Sequence, residues 1–234
     1  MHSVHPVQER HLPQGLLSDF ILGSQDGMVN VLGILLGLAA ATSDVRLIII
    51  AALAALGAES VSMGAVAYTS TLARQRVYQA ETRRELDEMR TVPDIEREEV
   101  RTIFRDWGYE GDELEELVRK IESKPKAMLD MMMAFELKLA PVSDVQPRNS
   151  AVIVFAATVV GSIIPLIPFL IPSVAVPSAA IVAVIISGAA LFGIGWYEAS
   201  ITVGPYWKAG LRMLVIGLAA GFAGFLLGTF AKGF

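Results

Sequence analysis

Several groups of side chains in this sequence have the types and spacing of metal ligands. Glu81, Glu85 and Glu88 fall at i, i+4 and i+7, and Glu96 and Glu99 at i and i+3, so each set shares one face if its segment is helical. Glu136 follows Met132 by four residues and Met133 by three, which sets a carboxylate beside thioethers. In an apolar stretch, Glu59 and Met63 repeat that pairing one helical turn apart, and Asp26 has Asn30 one turn along the same face. Carboxylates suit hard and borderline cations; an added thioether favours a transition metal over Ca2+ or Mg2+. A simpler reading stays open for each group. Runs of acids are commonly solvated faces neutralised by neighbours such as Arg83 and Arg84, Met commonly fills cores, and Asp26 at a membrane interface would merely be hydrated.

The elements that must position these residues come from the charge distribution. Of 19 Lys/Arg and 24 Asp/Glu, 14 and 18 lie between Arg74 and Arg148. The chain as a whole is only 18% charged, and its mean hydropathy is +0.53. Outside the charged stretch the apolar runs are long enough to cross a bilayer, which takes about 20 residues each. The expected fold class is an all-α membrane protein of five transmembrane helices, with a helical insert between helices 2 and 3. Its expected division is a tail at 1–15, transmembrane helices 1 and 2 at 16–73, the charged domain at 74–148, and transmembrane helices 3 to 5 at 149–234.

Within that division, the first span reads as Leu17 to Ala41. The second starts near Leu47, contains no Pro, and is expected to continue as one helix to about Met89. In the insert, helices are expected from Asp94 to about Trp107, from Gly111 to about Ser123, and from Pro125 through Met131–Met133 to Leu139. No charge occurs from Asn149 to Tyr197, which holds two spans turning at Pro172–Pro177, with Pro165 and Pro168 unwinding the first. Met213–Ala231 is the fifth span. The pairs Gly33/Gly37, Gly217/Gly221 and Gly224/Gly228 have helix-packing spacing, although general Gly enrichment of membrane helices also produces such pairs. The Lys/Arg balance places the N-terminus inside. Arg10, the insert, Lys208 and Arg212 then face the cytosol, and only Arg46 and Lys232 face outward. The opening lacks the pattern of a signal peptide, so the first span is expected to be retained.

Several classes are disfavoured. With no Cys there is no thiolate site. All three His (His2, His5, His11) lie in the tail, so the Glu-x-x-His pairs of a ferritin-like di-iron enzyme are missing. No phosphate loop or nucleophile elbow occurs. A net charge of −5 argues against nucleic acid. The expectation is a non-enzyme with no catalytic cofactor.

The chain resembles the vacuolar iron transporter family. The motifs are Leu22-Gly-Ser-Gln-Asp26-Gly-Met-Val-Asn30, Ser62-Met63-Gly-Ala65, Thr91-Val-Pro-Asp94, Met132-Met133-Ala-Phe-Glu136-Leu137 and Pro165-Leu-Ile-Pro168. The resemblance implies a homodimer in a cell or vacuolar membrane that exchanges cytosolic Fe2+ for protons along a route lined by the first span. Mn2+, Co2+ and Zn2+ would also suit Glu/Met sites as cargo. It further implies that Glu85, Glu88, Glu96, Glu99, Met132, Met133 and Glu136 bind metal in a cytosolic metal-binding insert, and that Asp26 and Met63 bind it in the membrane. The family pattern can carry a Glu two turns before the second-span Met, where this chain has Ala55. Glu59, on the same face, is expected to take that role about 6 Å along the helix axis. The competing reading is a membrane metal sensor that does not transport.

Overall fold

The computed structural model describes residues 14–140, 146–202 and 204–233. The three His, Arg10 and residues 141–145 lie outside the described residues. All regular structure among them is helical: α1 (Gln14–Ala41), α2 (Val45–Thr91), α3 (Pro93–Asp106), α4 (Gly111–Glu122), α5 (Pro125–Met131), α6 (Pro147–Leu166), α7 (Val176–Ile201) and α8 (Tyr206–Ala231). Five of them (α1, α2, α6, α7 and α8) are long and apolar enough to cross a membrane, so the protein is an all-α membrane protein. The residues divide into two compact units, one running from Ser70 to Gln146 and the other comprising the chain before and after it.

In the apolar unit α1 is the hub, packing along α6, α8 and α7. Val31, Leu32 and Leu35 of α1 meet Ile48 and Ala52 of α2 and Val176, Ala179 and Ala183 of α7 in one core. Met28 meets Leu191 and Met213 in a second. The break after α1 is set by Asp44, whose Oδ1 accepts from the N–H groups of Arg46 at 2.9 Å and Leu47 at 3.3 Å, capping α2. Pro165 lies in the last turn of α6, and the chain then tightens into a 3-10 turn at Ile167–Leu170. α8 starts at Tyr206, earlier than the uncharged run alone indicates. Lys208 and Arg212 are helical, and Arg212 reaches Glu198 of α7 at 3.5 Å. Long cationic side chains extend toward water from a helix end, so charge does not mark where such a helix begins.

The glycine pairs lie at the helix crossings. A Cβ on Gly224 would stand 2.1 Å from the Gly33 carbonyl oxygen, and one on Gly228 1.8 Å from that of Gly37. Only the absence of a side chain lets α8 approach α1 this closely, which in lipid is how helices gain packing contact. Gly217 and Gly221 instead receive the side chains of Leu191 and Leu36.

In the charged unit, Val100 and Phe104 of α3, Leu114 and Val118 of α4, and Met128, Met131 and Met132 form a small core. Arg101 grips Glu115 with two parallel hydrogen bonds of 2.7 and 3.0 Å, and Arg97 bonds Glu122, so two Arg–carboxylate pairs tie α3 to α4. α3 stops at Gly108, whose φ of +93° turns the chain.

The α5 segment departs from expectation. A regular helix through Leu139 is not formed: after Met131 the chain widens into a π-helical turn, Met132–Glu136, and leaves the helix at Lys138 with φ of +54°. The Leu137 N–H bonds the Met132 carbonyl, five residues back. The widening changes the register on which Met132, Met133 and Glu136 would share one face.

The crossings make a test. Gly228→Leu is expected to destabilise the bundle by about 3 kcal/mol through overpacking, read as a lower thermal midpoint in detergent. Gly57→Ala, with open space at its Cβ, should leave the midpoint unchanged or slightly raised.

Candidate metal centre

The site begins with acids on stripes that should be apolar. On α3, Glu96, Val100 and Phe104 follow at i, i+4 and i+8, so the stripe that buries Val100 and Phe104 also buries Glu96, which is 2% exposed. On α2, Glu85 is one turn before Met89, which packs against the same core, and Glu85 is 1% exposed. Burying a carboxylate without a partner is costly. Yet one oxygen on each of Glu85 and Glu96 is buried with no hydrogen-bond donor.

Glu85, Glu88 and Glu96 each present a carboxylate oxygen within 4.8 Å of the others. Two oxygens opposite one another on a transition metal at about 2.1 Å each would be about 4.2 Å apart, which falls within the 4.8 Å that bounds the set. Glu99 and Glu136 are electrostatically coupled to the same group. Burial, then the charges of Glu99, Glu85, Glu136 and Glu88, push the Glu96 carboxyl up to about 7. Glu136 lies at the exposed rim, but crowding by protein atoms and the charges of Glu99, Glu85 and Glu88 also push it up to about 7. Glu85 and Glu99 are raised for the same reasons, desolvation first.

The methionines divide. Met132, fully buried, fills the apolar core. The Met133 sulfur lies 3.8 Å from the Thr82 hydroxyl on α2. Arg84 pairs with Glu81 at 2.9 Å and lies 3.7 Å from both Glu85 and Glu88. In the sequence Arg84 stands out only as a neutraliser of neighbouring acids. The burial of Glu96 has a signal in the sequence beyond its spacing to Glu99: it is an acid in phase with Val100 and Phe104.

Within the apolar unit, the Asn30 amide nitrogen donates to Glu59 and lies 3.4 Å from Asp26 Oδ1, joining α1 to α2 through three polar side chains. In the sequence Asn30 is only a neighbour of Asp26, one turn along. Met63 is half-buried one turn beyond Glu59 on α2, as is Ala55 one turn before it. Near the start of α1, Ser150 of α6 donates to Asp19 at 2.5 Å.

Five helices long and apolar enough to cross a membrane, together with a cluster of acids on α2 and α3, define a polytopic membrane protein. The family model described as the VIT family matches residues 17–229. The chain is 31% identical to vacuolar iron transporter 1 of Oryza sativa subsp. japonica over 225 residues, which is 96% of this chain and 89% of the relative. It is 32% identical to vacuolar iron transporter 1 of Eucalyptus grandis over 93% of this chain and 88% of that one. The vacuolar iron transporter of Plasmodium falciparum (isolate 3D7) is 27% identical over 99% and 88%. The chain belongs to the VIT family.

A pH dependence follows from the raised acids. Between about 4.5 and 7 the folded protein holds protons on Glu96 that the unfolded chain releases, so metal-free stability falls as pH rises through this window and levels off above it. For Glu96 alone the full effect is roughly 3 kcal/mol. Melts without metal should show a higher midpoint at pH 5 than at pH 8, and Glu96→Gln should flatten this difference.

Proposed function

We propose that this protein moves divalent transition metal, Fe2+ and also Mn2+, out of the cytosol in exchange for protons, as a homodimer. The observation that carries the reading is the Glu85–Glu88–Glu96 group, two of whose acids, Glu85 and Glu96, are buried, in a chain of the VIT family whose relatives are named as iron transporters. Two buried oxygens without donors have no use in a merely solvated face, whereas a cation would satisfy both.

In this reading the charged unit is cytosolic and collects the ion through Glu85, Glu88, Glu96, Glu99 and Glu136, with the Met133 sulfur as a soft donor. Met132 contributes chiefly by packing. The raised carboxyls release protons when metal binds, so capture weakens below about pH 7. The second station is Asp26, Glu59 and Met63. Asn30 ties the two carboxylates of this station together, which supports Glu59 as the replacement for the acid missing at Ala55. An ionisable group inside a membrane helix costs a few kcal/mol; carrying the counter-moving proton would give Asp26 or Glu59 a function that justifies it.

Purified protein in liposomes should carry Fe2+ with an opposed pH change, and Asp26→Asn should abolish both. Glu96→Gln should raise the apparent KM about tenfold or more. Glu59→Gln should reduce metal and proton flux together; unchanged flux would show that nothing replaces the carboxylate at Ala55. Metal binding with no flux in the wild type would favour the sensor.

A further inference from the structure

We propose that Arg84 is an internal counter-ion that holds the Glu85–Glu88–Glu96 cluster at moderate affinity, so that a captured divalent metal is passed on rather than stored. The proposal rests on the reading of this cluster as a metal-collecting site and adds a residue that sets how tightly it holds its cargo.

Arg84 contacts three acids on α2, the Glu81 carboxylate at 2.9 Å and those of Glu85 and Glu88 at 3.7 Å each. Its charge also reaches Glu99 and Glu136. The guanidinium engages one oxygen of Glu85 (Oε1), while the other (Oε2) is buried without a donor. Likewise one Glu96 oxygen (Oε2) is buried without a donor. Arg84 therefore leaves inward oxygens for an ion and places a fixed positive charge beside it. Its side chain is 52% exposed, so it is not locked there by packing.

Five neighbouring carboxylates without a counter-charge would repel one another and would bind a divalent ion too tightly for a site that must let go. Ion conduction requires binding strong enough to load and weak enough to leave. Arg84 offsets the repulsion when the site is empty and repels the ion when it is full. An Arg always remains charged, so its repulsion of the ion does not change with pH even though the carboxyls around it titrate.

The test uses the full-length protein in detergent at pH 8, with Co2+ as an air-stable probe followed by calorimetry. Glu96→Gln in each background identifies binding that belongs to the cluster. Arg84→Gln is expected to tighten Co2+ binding about tenfold, the size of a unit charge acting on a divalent ion a few ångströms away in a mostly aqueous medium. Release into excess chelator should slow by a similar factor. Arg84→Lys should restore the wild-type constant, which a purely structural role of the planar guanidinium would not do. Arg84→Met, which keeps the stem and drops the charge, should match Arg84→Gln. Unchanged or weaker binding in both neutral variants, with wild-type melting, overturns the proposal. Absence of any Glu96-dependent Co2+ binding in the wild type overturns instead the collecting-site reading on which it stands.

Discussion

The structure of the charged unit depends on two carboxylates, Glu85 and Glu96, being held out of water beside each other. Burying a carboxylate is by itself unfavourable. The opposing force is hydrophobic: Val100 and Phe104 lie on the same stripe as Glu96, and Met89 packs one turn beyond Glu85, so burying the apolar residues carries the acids inward. The Arg101–Glu115 and Arg97–Glu122 pairs then fix α3 against α4 from the solvent side. They are partly exposed, and pairs of that kind contribute modestly to stability. Their importance is geometric, because they set the phase of α3 and so the direction in which Glu96 points.

The apolar unit uses a different device. Lipid offers no hydrophobic force between helices, so close approach has to come from shape. The glycines of α8 fit against the backbone of α1, and α1 is left to be surrounded by α6, α7 and α8. Asn30 lies on the exposed side of that helix, where it meets Glu59 of α2.

Much of the fold was legible in the sequence for simple reasons. Apolar runs measure out membrane helices, and α2 continues past the lipid because no Pro interrupts it. At 47 residues it is about 70 Å long, more than twice the hydrocarbon thickness. Pro93, Gly108, Gly111 and Pro125 stand at the helix ends of the charged unit. Helical spacing grouped Glu85 with Glu88, and the structure adds Glu96 within reach. What could not be read was contact between segments remote in the chain: Asn30 with Glu59, Thr82 with Met133, Gly224 with Gly33. The π turn was illegible for another reason. Met131 to Glu136 are all acceptable in an ordinary helix, and only the hydrogen bond from the Leu137 N–H to the Met132 carbonyl reveals the wider turn.

That turn behaves as a helix holding one residue more than its length accommodates. Each residue of an α-helix advances the side-chain direction by about 100°. Deleting one residue within Met132–Glu136 would let the segment close to regular geometry while swinging everything beyond it by that angle. Met132 would keep its place in the core, but Glu136 would turn away from Glu99 and Glu85. The extra residue thus works as a phase shifter, which lets one short helix serve two directions at once, Met131 and Met132 toward the core and its last acid toward the other carboxylates.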